Sequence, residues 1–236
     1  MESALVVGAN GGIGAALVAA LAASGRHGRV IAAARREPDT LPAGVDYLPV
    51  DIADPASIAA AAACLDGPLT RVIVATGILH DEEAGPERSL RDLDADRLAH
   101  LFAINTIGPA LALRHFAPLL ARDAPSAIAC ISARVGSISD NRLGGWYGYR
   151  ASKAALNQVV RTAAIELARS RPQAVCVALH PGTVDTGLSK PFQRGVPAEK
   201  LFSPTYSAGR LLAVLDGLTP AQSGRIFAWD GAEIAP

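Results

Sequence analysis

The sequence is poor in aromatic residues and carries no excess of charge of either sign. Phe, Trp and Tyr make up 5% of the 236 residues, and 22 Lys and Arg residues are matched by 22 Asp and Glu residues. A balanced charge without Lys/Arg clusters predicts no nucleic-acid partner and no binding to an anionic membrane surface. The longest apolar runs fall short of the roughly 20 residues that a membrane-spanning helix needs. We therefore expect neither a nucleic-acid partner nor a membrane partner.

Cysteine is also scarce. Cys64, Cys130 and Cys176 are odd in number and far apart, so they predict neither a disulfide framework nor a metal site. Residues 1–3 lead directly into an apolar run without basic residues, which predicts no signal peptide. Reduced thiols and the lack of a leader together predict a cytoplasmic protein.

What the sequence does have is alanine and short apolar runs that alternate with helical patterns. Half of its residues are hydrophobic, enough to bury on the order of 70% of the unfolded surface in one core. The runs predict strands at residues 4–8, 29–34, 46–50, 71–75, 127–131, 174–179 and 225–229. Helices are expected at residues 13–24, 54–65, 94–120, 146–170 and 205–215, with Asp54 as an N-cap and Pro55 in the first helical position.

This alternation indicates an α/β fold. Strands separated by whole helices need crossover connections and favour a parallel sheet, and strands without polar alternation are covered on both faces. We predict a Rossmann-type, doubly wound, seven-stranded parallel sheet flanked by helices on both faces. It forms a single domain over residues 1–236, with a Pro/Gly-rich substrate-binding loop at about 182–204.

A glycine-rich segment joins the first strand to the first helix. Residues 8–14 read Gly-Ala-Asn-Gly-Gly-Ile-Gly. Glycines permit a tight turn and a close approach of the backbone to a pyrophosphate, and the N–H groups of the following helix face its charge. The predicted phosphate-binding residues are Gly8, Asn10, Gly11, Gly12, Ile13 and Gly14.

The second strand ends in Arg35 and Arg36, and Glu37 comes only after both. An NAD site places a carboxylate near this strand end for the ribose hydroxyl, whereas an NADP site places arginine there for the 2′-phosphate. The alternative is an ordinary solvated arginine pair. The missing acid and the two bases agree, so we predict NADP and disfavour NAD.

Tyr149 and Lys153 form a Y-x-x-x-K pair at helical spacing. Residues four apart lie on one helix face, so the ammonium can approach the phenol. A neighbouring positive charge favours the phenolate, and we expect it to lower the pKa of Tyr149. Such a tyrosine can give a proton to a carbonyl oxygen or take one from an alcohol.

The spacing of Gly8, Gly12 and Gly14 together with Tyr149 and Lys153 resembles the short-chain dehydrogenase/reductase family. The stretches 132–157, 180–186 and 215–231 resemble its C-factor and sniffer-type carbonyl reductase branch, and the likeness covers essentially the whole chain. The resemblance implies further cofactor contacts, at Asp51, Ile52, Gly77, Asn105, Tyr149, Lys153, Pro181, Gly182, Thr183, Val184 and Thr186. It also implies that Asn105 kinks the long helix and serves a proton relay, and that the long helices join a homodimer or homotetramer.

The catalytic serine of this family falls on Ala133 in this chain. Ser132 lies one residue early and Ser137 four residues late. Strand side chains alternate faces, so Ser132 needs a bulge to turn towards the substrate. Ser132 is the first candidate for the fourth catalytic residue, beside Tyr149, Lys153 and Asn105, and Ser137 is the second.

Two functions follow from these residues. The first is reduction of a small aldehyde or ketone by NADPH, with Tyr149 as general acid/base and with Pro191, Phe192 and Phe202 covering an apolar substrate. The second is a nucleotide-binding signalling or developmental protein of the C-factor type with little or no turnover, a reading that the displaced serine favours. Family likeness sets the reaction type and does not name the substrate.

Overall fold

The computed structural model describes residues 2–80 and 85–236. Met1 and residues 81–84, which the predicted domain includes, lie outside the described residues. The strands are β1 (Ser3–Val7), β2 (Arg29–Ala34), β3 (Val45–Pro49), β4 (Leu69–Val74), β5 (Ser126–Ile131), β6 (Ala174–His180), β7 (Thr183–Val184), β8 (Leu201–Phe202) and β9 (Ile226–Ala228). The α-helices are α1 (Gly12–Ser24), α2 (Pro55–Ala63), α3 (Ala95–Phe102), α4 (Gly108–Phe116), α5 (Tyr147–Ser170) and α6 (Pro204–Gly217).

Seven strands form one parallel sheet in the order β3-β2-β1-β4-β5-β6-β9. This confirms the predicted doubly wound, Rossmann-type α/β fold. The order reverses between β1 and β4, where consecutive crossovers leave the sheet in opposite directions. Because all seven strands are parallel, their carboxyl ends lie at one edge, and the crevice at the reversal is where such folds bind ligands.

Both faces of the sheet are packed against helices. One core cluster includes Leu5, Ile128 and Leu156, and the other includes Val6, Leu17 and Leu211, with all six side chains fully buried. Side chains that alternate along β1 therefore enter opposite cores, as Leu5 and Val6 do. This double burial explains why the strands are apolar without polar alternation.

The predicted helix ends match their local chemistry. Helix α1 stops at Gly25, whose φ of 61° is the left-handed conformation that glycine adopts easily. Asp54 caps α2 by accepting a hydrogen bond from the Ala56 N–H at 2.9 Å, and Pro55 is the first helical residue.

The single helix predicted at 94–120 is wrong in detail. The chain forms α3, then a π-helical segment (Ala103–Ile107), then α4, and ends in a 3₁₀ turn (Ala117–Leu119). The wider segment holds Asn105, where the family resemblance implied a kink. Such π segments recur at functional sites because they turn a side chain out of the regular helical array.

The loop predicted over 182–204 also contains structure that the pattern missed. Strands β7 and β8 pair in parallel, Thr183 with Leu201 and Val184 with Phe202. Two-residue strands are too short to produce a hydrophobic period, so a sequence pattern cannot identify them. The pairing ties the two ends of this segment together at the edge of the sheet.

Candidate active site

Two openings meet at the carboxyl edge of the sheet. The first, which we call the groove, has a volume of about 580 Å³ and lies over the ends of β1, β2 and β3. The second, which we call the cleft, has a volume of about 390 Å³ and lies over the ends of β4, β5 and β6. Residues Ala75, Thr76 and Gly77 line both, so the two openings are continuous.

The groove collects eight of the nineteen residues predicted to bind the cofactor. Its walls include Gly8, Asn10, Gly11, Arg35, Arg36, Asp51, Ile52 and Gly77. Ile13 instead lines the cleft, where Pro181, Gly182, Thr183, Val184 and Thr186 also lie. The structure therefore brings the residues predicted from separate parts of the chain to one continuous opening.

The glycines of the loop are required by close contacts. Gly8 has a φ of +92°, and a Cβ atom on Gly14 would lie 2.1 Å from the Gly8 carbonyl oxygen. A Cβ atom on Gly12 would lie 2.6 Å from Cγ2 of Thr186. No side chain fits at Gly14 without opening the turn, because 2.1 Å is far inside van der Waals contact. The loop thus leaves its backbone and the start of α1 open towards the groove.

Asn10 holds the arginine segment in place. Its Nδ2 atom donates to the Arg36 carbonyl oxygen at 2.6 Å, which ties the glycine loop to the end of β2. Arg35 and Arg36 are exposed, and within the described part of the chain neither guanidinium contacts a carboxylate. Two unpaired cations at this edge are suited to a phosphate group.

Asp51 makes a local turn and also faces the groove. Its Oδ1 atom accepts from the Ala53 N–H at 2.9 Å, and its own N–H donates to Ser57 Oγ at 2.9 Å. The ordinary turn function considered for Asp51 is therefore present. Its place in the groove wall leaves the predicted adenine contact available as well.

Tyr149 lies in the first turn of α5 and lines the cleft, with 7% of its surface exposed. Burial raises the pKa of Tyr149 above its usual value. The expected lowering of this pKa by Lys153 is therefore not what the structure shows. The physical reason is that removing the phenolate from water costs more than the lysine returns at this separation, with Nζ lying 5.9 Å from the ring centroid.

Lys153 lies one turn further along α5 and is almost completely buried. Its Nζ atom donates to the Ile131 carbonyl oxygen at 2.9 Å, at the end of β5. Burial lowers the pKa of Lys153 from 10.5 to about 8. The ammonium therefore sits between the end of the sheet and the tyrosine, at the boundary between cleft and helix.

Asn105 is fully buried and fixes the loop after β4. Its Nδ2 atom donates to the Ile78 carbonyl oxygen at 2.9 Å and to Ser152 Oγ at 3.1 Å, while its Oδ1 accepts from the Ile78 N–H at 2.9 Å. A Cβ atom on Gly77 would lie 3.3 Å from both Asn105 Oδ1 and Lys153 Nζ. Gly77 is thus the contact point between the π segment, the lysine and the loop where groove and cleft join.

The two candidate serines take different positions. Ser132 lines the cleft, but its buried hydroxyl donates to Asn157 Oδ1 at 2.7 Å. Ser137 Oγ accepts from the Asp140 N–H at 3.1 Å and lies outside the cleft wall. Ala133 packs in a small apolar cluster with Tyr149 and Leu79. The position beside the tyrosine therefore carries a methyl group, and the part assigned to Ser132 stays a prediction.

An aromatic wall closes the outer side of the cleft. The Trp146 ring lies 6.3 Å from the Tyr149 ring and 5.1 Å from the Phe192 ring, between centroids. Phe192 thus lines the cleft, where it was expected to cover a substrate. Phe202, which was also expected to cover a substrate, does not line the cleft and instead packs on Trp229, at 4.5 Å between ring centroids, and against Gly182. Pro191 does not line the cleft.

Several residues at the site escaped sequence reasoning. The helical pattern that starts at Trp146 gives this residue no role at the site, although an aromatic residue three positions before the tyrosine is a usable signal. No sequence pattern points to Asn157. Thr76 joins groove and cleft, and its buried Oγ1 atom has no hydrogen-bond partner in the described chain. Glu87 lies in a stretch without any recognisable pattern.

No helix among residues 2–80 and 85–236 is long and apolar enough to pass through a membrane. Within the same residues, no cluster of three or more His, Cys, Asp or Glu side chains has an arrangement that could bind a metal ion.

The comparisons with known proteins agree on one family. Residues 2–196 match the short chain dehydrogenase family. Over 237 residues, covering 98% of both chains, the sequence is 36% identical to 1-hydroxy-2-glutathionyl-2-methyl-3-butene dehydrogenase of Rhodococcus sp. (strain AD45). It is also 40% identical to C-signal of Myxococcus xanthus, over 62% of this chain and 82% of that protein.

Solved structures agree with these sequence matches. NADPH-bound carbonyl reductase from chicken fatty liver aligns with a TM-score of 0.85 and 29% identity, over 99% of this chain and 94% of that one. A putative short-chain dehydrogenase/reductase from Burkholderia multivorans with bound NADP aligns with a TM-score of 0.82 and 26% identity, over 100% and 99% of the two chains. The protein is an oxidoreductase that belongs to the short-chain dehydrogenase family, and the family resemblance seen in the sequence is confirmed.

Proposed function

We propose that this protein transfers a hydride between NADPH and a small aldehyde or ketone, with Tyr149 as general acid/base. The observation that carries the proposal is the continuity of groove and cleft. A nucleotide held by the glycine loop extends through Gly77 to the part of the cleft that Tyr149 and Lys153 line. An elongated dinucleotide fits that arrangement, and a mononucleotide would leave the catalytic pair out of reach.

The residues of the groove fit NADP in particular. Gly14 packs against the Gly8 carbonyl, which holds the first turn of α1 beside the glycine loop. The first N–H groups of a helix have no partner within the helix and can bind a pyrophosphate. The exposed Arg35 and Arg36 suit a 2′-phosphate, and no carboxylate occupies the end of β2. The NADPH and NADP named for the two similar structures support the same cofactor. Thr183, Val184 and Thr186 are proposed to hold the nicotinamide end.

When bound, the nicotinamide supplies or accepts the hydride. The chain's own part is then to bind the substrate oxygen and to move a proton. Because burial keeps the Tyr149 phenol protonated at neutral pH, it enters carbonyl reduction as the acid and donates its proton to the oxygen that gains negative charge. Lys153, charged below pH about 8, stabilises the tyrosinate left behind and is proposed to hold the nicotinamide ribose.

Asn105 and Ser132 are proposed in supporting parts. Asn105 fixes the Ile78 backbone beside Lys153, which keeps the loop between groove and cleft open. Ser132 supplies a second hydrogen bond to the substrate oxygen only if its hydroxyl leaves Asn157. The apolar side chains of Leu79, Trp146 and Phe192 suit a small, uncharged carbonyl compound and exclude water from it.

The second candidate function is nucleotide-dependent signalling with little turnover. The 40% identity to C-signal and the methyl group of Ala133 beside Tyr149 favour it.

Location in the cytoplasm and assembly into a homodimer or homotetramer are proposed from the sequence. The buried free thiols of Cys130 and Cys176 are compatible with the cytoplasm. The half-exposed Ile165 on α5 is compatible with an interface between subunits.

The test is oxidation of NADPH and of NADH, followed by absorbance, across a panel of aldehydes, ketones and quinones. We expect turnover with NADPH and at least about tenfold weaker kcat/KM with NADH, since one phosphate-arginine contact contributes roughly 1.5–3 kcal/mol. NADPH binding without turnover on any member of the panel would support the signalling function. Preference for NADH would overturn the cofactor proposal.

A further inference from the structure

Helix α5, which carries Tyr149 and Lys153, starts in an unusual way. Residues Gly144, Gly145 and Trp146 all have left-handed backbone conformations, with φ values of 65°, 64° and 54°. Glycine adopts this conformation easily, but tryptophan does so only when its surroundings enforce it. Trp146 is the N-cap residue, and its side chain makes no hydrogen bond to the helix. The first N–H groups of α5 therefore need an acceptor from elsewhere in the chain.

Glu87 supplies that acceptor from outside the helix. Its carbonyl oxygen accepts from the Trp146 N–H at 2.5 Å, and its Oε2 atom accepts from the Gly148 N–H at 3.2 Å. Glu87 is 2% exposed, and its Oε1 atom has no hydrogen-bond partner in the described chain. A buried carboxylate is tolerated here because the positive end of the helix dipole faces it.

Gly148 provides the space for this carboxylate. A Cβ atom on Gly148 would lie 2.8 Å from Glu87 Oε1 and 2.6 Å from Cδ1 of Leu101. Glu87 and Gly148 therefore form a complementary pair. Tyr149 directly follows Gly148, so any shift of the cap moves the phenol along the cleft.

We propose that Glu87 is a positioning residue that caps α5 from outside and thereby sets the placement of Tyr149 and Trp146. The two rings lie 6.3 Å apart and form adjacent parts of the cleft wall. One carboxylate thus determines both the position of the proton donor and the aromatic surface against which a substrate packs. The catalytic part of this inference depends on the proposed function of Tyr149, whereas the structural part does not.

The test compares Glu87→Ala with Glu87→Gln. Glutamine keeps an acceptor oxygen at the same reach, while alanine removes it. With NADPH and para-nitrobenzaldehyde, or the best substrate of the carbonyl panel, we expect kcat of Glu87→Ala to fall about 10- to 100-fold. NADPH affinity should stay within about twofold of wild type, since the groove is untouched, and Glu87→Gln should keep kcat within about threefold. Equal losses of kcat in the two variants would overturn the capping role.

A second readout does not depend on turnover. The chain has two tryptophans, so the Trp229→Phe background isolates the fluorescence of Trp146. In cofactor-free protein we expect Glu87→Ala to shift this emission to the red and to increase its quenching by acrylamide, whereas Glu87→Gln leaves both unchanged. If wild type turns over no carbonyl, the proposed function fails, but this measurement still tests the cap. Emission and kcat of Glu87→Ala equal to wild type would overturn the proposal.

Two further variants separate positioning from general loss of stability. Gly148→Ala keeps Glu87 but pushes its carboxylate away from the helix, so it should also lower kcat. This variant therefore tests the proposal even if Glu87→Ala fails to fold. Asp54→Ala removes the cap of α2, a matched loss at another helix. It should lower the urea midpoint of unfolding and leave kcat at saturating NADPH unchanged. An equal loss of kcat in Asp54→Ala would contradict a specific role for Glu87.

Discussion

The groove is shaped by backbone, whereas the cleft is shaped by side chains. In the groove, Gly8 and Gly14 approach so closely that no other residue fits, and Asn10 ties the loop to the Arg36 carbonyl. In the cleft, the wall consists of the Trp146, Phe192 and Tyr149 rings, and their placement depends on contacts from distant parts of the chain. Substitutions that add atoms should therefore disrupt the groove, and substitutions that remove contacts should disrupt the cleft.

Gly14→Ala should have the largest effect on cofactor binding and would break the groove alone. The new Cβ atom would lie 2.1 Å from the Gly8 carbonyl oxygen, so the turn must open. We expect NADPH affinity, measured by fluorescence titration, to fall about 10- to 100-fold or more, because overpacking of this kind costs about 1–3 kcal/mol. Gly209→Ala is the control, since nothing lies within 4 Å of its added Cβ in α6. Unchanged NADPH binding in Gly14→Ala would show that the loop does not hold the cofactor.

The double variant Arg35→Ala/Arg36→Ala should alter cofactor choice without touching the cleft. Both guanidiniums line the groove and lack carboxylate partners in the described chain. We expect the KM for NADPH to rise about 10- to 100-fold and the KM for NADH to change little. Arg122→Ala, which removes another exposed guanidinium, is the matched control. A parallel rise of both KM values would refute a 2′-phosphate contact.

Exchanging residues 132 and 133 sharpens the account of the cleft. Ser132→Ala leaves Asn157 without its donor, so the free energy of unfolding should fall by about 1–3 kcal/mol. Ala133→Ser places a hydroxyl in the cluster with Tyr149, and we expect it to raise kcat/KM by roughly tenfold through one added hydrogen bond. The carbonyl panel and urea unfolding measure the two effects. No gain from Ala133→Ser would mean that this position does not face the substrate oxygen.

The pH dependence of stability should be the smallest effect. The pKa of Lys153 is lowered from 10.5 to about 8 in the folded protein, so the unfolded chain binds more protons between these values. Stability from this group therefore rises as the pH increases through 8. In urea unfolding, the free energy of unfolding of wild type relative to that of Lys153→Met should be larger at pH about 9 than at pH about 7. A constant difference between the two proteins would place Lys153 in contact with water.

The contrast between local chemistry and long-range contacts also explains how much of the structure could be predicted from the sequence. Strand β2 begins and ends where its apolar run does, and the glycine loop and Y-x-x-x-K spacing identified both openings, because these features depend on local chemistry. The family resemblance implied the break of the long helix at Asn105, but it did not predict the π geometry of that break. Strands β7 and β8 are too short to leave a pattern. The raised pKa of Tyr149 follows from burial that only the packed structure shows.

Glu87 illustrates the limit most clearly. It lies 61 positions before Gly148, in a segment without periodicity, and the two meet only when α5 packs against the region around Leu98 and Leu101. Ser132 and Asn157 meet in the same way, 25 positions apart. Long-range hydrogen bonds that involve side chains carry no local signal. This explains why the contacts of Glu87 and Asn157 were missed, whereas residues that belong to local motifs were predicted for both openings.

The most direct test of the account is Tyr149→Phe, measured for both NADPH affinity and carbonyl reduction. Removing the hydroxyl removes the proton donor and leaves the groove intact. We predict that kcat falls about 100- to 10,000-fold while the Kd for NADPH stays within about twofold, and that Tyr147→Phe, two residues earlier in α5, retains wild-type kcat. If Tyr149→Phe reduces carbonyls at the wild-type rate, Tyr149 is not the general acid and the central claim is contradicted.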